Sequence, residues 1–435
     1  MSSATPDATS SDTPGAPAAV AGGGFGPGFW AVAFAFLIVM AAATLPSPLY
    51  GLYRERDGLS AFTVTIIYAI YAAGTIATLL SVRYVAARIG RRGMMLSAVA
   101  TMIAATALLA AWKALPGLLV GRFITGVAVG LAAGTAITYL IELRVRANPK
   151  ASVIPARNIG TAVNVGALGI GPLVAGILAE WVAHPLTVPY LLWIGLGVIA
   201  LIGLSTAPET SAPAHASAAP AGKPAGSSSR SVKLLVPASV ATLAAFAANG
   251  LFAGLSGLFL AITFHHSSHA LSGATLFLVF ASGVAAQLAT SSLPAARVFV
   301  LGTFSMVIGL ALLVISVRLS TPNLALFLIS GALIGAGAGA LFKGTTGLVL
   351  DATAPENRLA MTSDLLIALF VGLSIPVIGA GIALDQGASP PDTVLVFAIV
   401  VGLGVACAGA WLGQALRSSQ RPAGAPSIQT PPASA

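Results

Sequence analysis

Three ionisable residues, Arg122, Lys343 and Asp364, each stand inside a long apolar run of the chain. A charge at the centre of a bilayer costs on the order of 2.5–3.5 kcal/mol on insertion scales, so each needs a partner or a task. Arg122 lies within a turn or two of one end of its run. There it can snorkel to the interface, cap carbonyls of a neighbouring helix, or serve a function. Lys343 precedes Asp351 by eight residues, a depth of roughly 12 Å along a helix, and Asp364 lies one to two turns into the following run. A short hairpin joins these two runs, so the spacing predicts a buried Lys343–Asp364 pair. Such a pair is either structural or opened by a proton or an anionic solute. Tyr68, Tyr71, Thr75 and Thr78 share one helical face, and Asn249, Asn158, Thr161 and Gln287 lie on other runs. These neutral groups can line a solute cavity or pack helix against helix. The runs hold no cluster of His, Asp and Glu and no shared-depth Ser/His/Asp or Cys/His set. The phosphate-cradling Gly-x-x-x-x-Gly-Lys pattern is absent too, so the residues point away from an enzyme, a resident metal or cofactor, and direct ATP drive.

The elements that position these residues are twelve apolar runs. They cover 29–49, 60–82, 93–112, 118–140, 158–181 and 189–207, then 237–263, 271–293, 297–317, 323–348, 359–384 and 393–416. A hydrocarbon core roughly 30 Å thick needs about 20 apolar helical residues to cross it. Hydrophobic residues make up 57% of the chain and charged residues 8%, with a mean hydropathy of +0.94. Soluble domains carry roughly a quarter charged residues. The runs also lack the period-two alternation of a membrane barrel. The expected fold class is an all-α membrane protein with 12 transmembrane helices in two six-helix bundles. The expected layout is a disordered tail over 1–28, one bundle over 29–207, a Pro/Ala/Ser/Gly-rich linker over 208–235, the second bundle over 236–416, and a disordered tail over 417–435.

Lys and Arg set the orientation. With both termini cytoplasmic, the inner loops hold fifteen of the 21 basic residues and the outer loops four, which satisfies the positive-inside rule. The +9 charge and pI near 10.1 therefore belong to short loops that meet anionic lipid, not to a nucleic-acid surface. No basic n-region precedes the first run, which reads as an uncleaved helix. The lone Cys407 excludes an intramolecular disulfide and is expected to pack in the core. His265, His266 and His269 share a short outer loop with no fixed geometry for a metal.

The halves repeat one another. Arg122, Gly126, Gly130 and Glu142 are spaced like Gly331, Gly335, Gly339 and Asp351. Pro172 follows Gly160 as Pro376 follows Asp364. Six-helix halves with interruptions in matching places are a mark of secondary transporters.

Three stretches carry a family resemblance: Arg88-Ile89-Gly90-Arg91-Arg92 after the second run, Arg122-Phe123-Ile124-Thr125-Gly126 in the fourth, and Gly160 with Gly171-Pro172-Leu173-Val174-Ala175-Gly176 in the fifth. In order and position they resemble the loop motif, the fourth-helix motif and the fifth-helix motif of the major facilitator superfamily. The resemblance spans about 29–416. It implies that fold, alternating access by two pseudo-symmetric bundles, and a small-molecule substrate moved with protons by a lipid-embedded monomer of a bacterial inner membrane. It also implies a part for Arg122 in modulating a proton site, a cytoplasmic gate loop at Arg88, Gly90, Arg91 and Arg92, and, because the fifth-helix motif marks exporters, a drug/proton antiporter-like efflux; import is the alternative. The loop motif is incomplete, with Arg83 and Ala87 where the family has Gly and Asp. Independently of the resemblance, Gly160, Asn164, Ala167, Gly171 and Ala175 form one stripe of mostly small residues. That stripe allows close helix approach, and Pro172 loosens the hydrogen-bond ladder, so the fifth helix reads as a hinge (Gly160, Gly171, Pro172, Gly176) or as a packing face.

Overall fold

A computed structural model describes residues 25–210, 229–354 and 357–420, and leaves aside the side chains of 82–88, 229–233, 359 and 415–420. The described residues contain twelve helical segments long and apolar enough to span a membrane. They are α1 Pro27–Asp57, α2 Ala61–Ser81, α3 Ile89–Ala111, α4 Leu115–Ala147, α5 Ile154–Trp181 and α6 Val188–Ser205 in the first bundle. The second bundle holds α7 Leu234–Ile262, α8 His269–Ala289, α9 Ala295–Arg318, α10 Leu324–Asp351, α11 Ala360–Asp385 and α12 Pro390–Gln414. The chain is an integral, multi-pass membrane protein. The expected tails and most of the expected linker fall outside the described residues. The helix that carries α7 already begins at Ser229, inside the stretch expected to be linker.

Each bundle has a column of close backbone approach that matches one in the other bundle. A Cβ on Gly126 of α4 would stand 1.8 Å from the Tyr71 carbonyl of α2, and one on Gly335 of α10 would stand 1.8 Å from the Val279 carbonyl of α8. One turn on, Gly130 and Gly339 repeat the arrangement against Thr75 and Gly283. Only hydrogen fits there, so the repeated glycine spacing is the footprint of two equivalent helix crossings.

The spans depart from the expected runs where proline and glycine act. α1 is helical over Pro27–Ala42, turns, makes a 3₁₀ turn at Ser47–Leu49, and resumes as Tyr50–Asp57. Pro46 has no N–H to return to Ala42, and Ser47 N–H bonds Thr44 instead, which leaves the Ala43 carbonyl without its helical donor. α4 is broken at Gly134 and Thr135 and continues to Ala147. Its counterpart α10 is unbroken. α2 and α3 form one helix, Ala61–Ala111, interrupted at Gly90, whose φ of 72° is a conformation that favours glycine. Arg91 and Arg92 therefore lie in the first turn of α3 and not in a loop. Cys407 is exposed on α12, contrary to the core role expected of it; an apolar helix in lipid has no need to turn its thiol inward.

The bundles meet along two seams, α2 against α11 and α5 against α8. The tightest approaches across them gather toward one end of the molecule, the end of Glu180. A Cβ on Gly176 would stand 2.4 Å from the His269 carbonyl, one on Gly273 2.3 Å from the Pro172 carbonyl, and one on Gly381 2.4 Å from the Thr65 hydroxyl. Farther along the same seam, a Cβ on Gly166 would meet Val284 at 3.3 Å.

Candidate functional site

Arg122 is fully buried. Its Nη1 donates to the Ala43 carbonyl at 2.5 Å, its Nη2 to the Tyr68 carbonyl at 3.2 Å and its Nε to the Ile67 carbonyl at 3.3 Å. The guanidinium also stands 4.6 Å from the ring centroid of Tyr71, a cation–π geometry. The break in α1 supplies the Ala43 acceptor, so Arg122 caps carbonyls of neighbouring helices and does not snorkel. Among the described residues no carboxylate pairs with it.

Tyrosines gather around this cation. Tyr50, Tyr68, Tyr71 and Tyr190 all feel its charge, and Tyr53 joins them through a 3.2 Å contact between its hydroxyl and that of Tyr190. The rings of Tyr68 and Tyr71 are 5.6 Å apart, and Tyr71 meets Phe370 of α11 edge-on at 6.2 Å across the seam. The hydroxyls of Tyr50, Tyr68 and Tyr71 are buried without a well-formed protein hydrogen bond, Tyr50 lying near Arg122 and Tyr68 near Tyr71, and Ser47 Oγ, Asn249 Oδ1 and Ser374 Oγ are buried without a partner. A buried polar group left unbonded costs about 1–3 kcal/mol, so these groups on α1, α2, α7 and α11 each call for an explanation beyond packing.

The remaining candidates separate. Thr75 is not cavity lining, because its hydroxyl donates to the Tyr71 and Gly126 carbonyls at 3.0 Å each and ties α2 to α4. The expected Lys343–Asp364 pair does not form. Lys343 Nζ instead donates to the Gln287 carbonyl at 2.6 Å and lies 3.4 Å from the Thr290 hydroxyl. These groups close the C-terminal end of α8, where unpaired carbonyls and the helix dipole draw a cation. α10 and α11 are consecutive in sequence but barely touch, since α10 packs on α9, α8 and α7, and α11 on α7 and α2. Asp364 is exposed, with no ion-pair partner among the described residues.

Arg91 and Arg92 belong to a cluster within the first bundle. Glu209 accepts their backbone N–H groups at 3.0 Å each, capping α3 beside Gly90. Arg92 also donates to the Ser205 carbonyl, Arg91 Nε lies 3.4 Å from Glu142, and Arg146 donates to the Glu209 carbonyl at 2.8 Å. The side chain of Arg88, and the positions of Arg83 and Ala87, lie outside the described side chains. In α5 the small stripe is buried. Gly160 faces Ile137 of α4, while a Cβ on Gly171 would stand 2.0 Å from the Ala41 carbonyl of α1. Pro172 lies inside a helix that continues to Trp181.

One contact was not legible in the sequence. Glu180, at the end of α5, accepts from His269 N–H at 2.7 Å, Ser268 Oγ at 3.1 Å and Ala270 N–H at 3.2 Å. A carboxylate of one bundle thus finishes the first turn of a helix in the other.

Two six-span bundles, joined along two seams with polar groups gathered between them, define a secondary transporter of small solutes. The chain belongs to the Major Facilitator Superfamily, whose family model matches residues 32–295. Among solved structures it is similar to that of the nucleoside transporter NupG, with a TM-score of 0.63, 14% identity, and cover of 89% of this chain and 99% of that one. No curated protein matches it by sequence.

Proposed function

We propose that the chain exports a small organic solute in exchange for protons, by alternating access at the site between Tyr50, Tyr68, Tyr71, Asn249 and Ser374. The observation that carries the site is the set of buried polar atoms without a well-formed hydrogen bond that both bundles contribute at their interface. The basic loops at the Glu209 end set that end in the cytoplasm. The close seams at the Glu180 end then correspond to a molecule shut toward the outside. Asp364 supplies the proton carrier. It is a carboxylate one to two turns inside α11, and since a charge facing lipid is costly, its exposure is read as facing the cleft. The α5 stripe around Pro172, which touches α1, α4 and α8, is the flexing element. Import is the second reading, since the same fold and the same seams serve alternating access in either direction.

The test uses everted and right-side-out membrane vesicles from cells overproducing the protein. Both are energised with an imposed pH gradient and offered a mixture of small organic metabolites, with uptake read by mass spectrometry. Export predicts solute uptake into everted vesicles only, abolished by a protonophore and by Asp364→Asn. Uptake confined to right-side-out vesicles establishes import, and uptake unchanged by Asp364→Asn removes that residue from coupling.

A further inference from the structure

We propose that the solute is an organic anion whose charged oxygens sit among the hydroxyls of Tyr50, Tyr68 and Tyr71, with Arg122 as the fixed counter-charge. The proposal rests on reading that cluster as the solute site and adds the charge of what it takes.

The argument begins with an imbalance. Arg122 is 0% exposed, and its partners are all neutral: three carbonyls, the face of Tyr71 and the nearby Tyr50 hydroxyl. Carbonyl dipoles satisfy its N–H groups but leave a whole positive charge inside the first bundle, with no carboxylate paired to it among the described residues. An unneutralised buried charge is expensive, and an ion of opposite sign admitted when the bundles part is a remedy for it.

The groups facing that charge are suited to such an ion. Tyr50, Tyr68 and Tyr71 are at most 4% exposed, and their hydroxyls make no well-formed protein hydrogen bond, lying only near Arg122 and one another. A phenolic O–H is a donor, and donors converging beside a guanidinium hold an oxyanion through charge-assisted hydrogen bonds. Tyr53 and Tyr190 are excluded because their hydroxyls engage one another. The wall contributed by the other bundle is of a different kind. Phe370 presents its edge to Tyr71, and Val377 and Tyr68 both close on Gly254, a surface for a carbon skeleton. A cation at this site would be repelled by Arg122. A neutral amide would bond the hydroxyls and leave the charge as it was. An anion does both tasks, and its arrival draws Tyr68 and Tyr71 of one bundle toward Phe370 of the other.

The experiment uses the full-length protein in detergent, with thermal unfolding followed by tryptophan fluorescence. Two isosteric pairs, benzoate with benzamide and hexanoate with hexanamide, are titrated alongside benzamidine. Saturable stabilisation by at least one carboxylate and by neither amide is the expected result. Tyr68→Phe removes a hydroxyl whose near partner is the Tyr71 hydroxyl, so it should change the unliganded Tm little. It should weaken the carboxylate by about tenfold or more, the loss of one hydrogen bond to a charge. Arg122→Gln should abolish the response. The proposal is overturned if an amide or benzamidine binds as tightly as the acid, if Tyr68→Phe leaves carboxylate affinity unchanged, or if no carboxylate stabilises the protein. Binding of carboxylate by a protein that carries nothing in the vesicle assay would overturn transport and keep the anion site. Flux of neutral solutes without carboxylate binding would do the reverse.

Discussion

Arg122 in the first bundle and Lys343 in the second are cations inside apolar runs, and the two are treated in opposite ways. Arg122 is fully buried, and its guanidinium is spread over three carbonyls of α1 and α2 and the face of Tyr71. Lys343 is partly exposed and rests by one ammonium on the last turn of α8. The planar, five-donor fork of arginine can tie several elements at once, whereas lysine offers a point charge on a flexible stem. The first bundle uses its cation to build the site. The second uses its cation to finish a helix, and can let go of it at small cost.

The most severe test of this comparison concerns what the bundles share. Gly126→Leu and Gly335→Leu place a side chain where even a Cβ lies 1.8 Å from a carbonyl oxygen. Both are expected to abolish monodisperse protein on size-exclusion chromatography, and a loss in only one bundle would show that the crossings are not equivalent. Next comes the contrast itself. Arg122→Gln leaves carbonyls unpaired and should cost about 3 kcal/mol or more, while Lys343→Met should cost no more than about 1 kcal/mol. Thermal unfolding of the two variants reads the difference, and equal losses would erase the distinction.

A smaller effect is expected at the seam. Glu180→Gln weakens the carboxylate that caps α8 and should loosen the α2–α11 contact at the same end. In a Cys407→Ala background, a Thr65→Cys probe beside Gly381 should then react severalfold faster with an impermeant maleimide, an increase set by the modest strength of a charge at a helix terminus. An unchanged rate would mean that the glycine packing alone holds the seam. The smallest effect belongs to Thr75→Val, which deletes one interhelical hydrogen bond worth about 0.6 kcal/mol in membrane proteins. It should leave carboxylate binding intact; a loss of binding would return Thr75 to the cavity wall.

The span count and the duplicated glycine register were legible in the chain, because apolar length and spacing are local properties. Lys343 and Asp364 were misjudged because sequence gives depth along a helix but not which neighbour a face meets. α10 and α11 follow one another in sequence yet pack on different helices. Thr75 was misassigned for a related reason: its face looks toward α4, and the hydroxyl is spent on Gly126. Ser47, Tyr50 and Ser374 were passed over because the α1 break that turns Tyr50 inward is a local event, while the company it joins comes from α2, α6 and α11. Glu180 offered no signal at all, since its partners begin 88 residues later in the opposite bundle.

The gap in α1 has a mechanical meaning. Two short rods meeting at Pro46 would flex independently, but the guanidinium that grips Ala43 while holding Ile67 and Tyr68 splints the joint from outside. A single side chain borrowed from α4 thus decides whether α1 moves as one beam or as two links, so the stiffness of that wall depends on whatever competes for the splint.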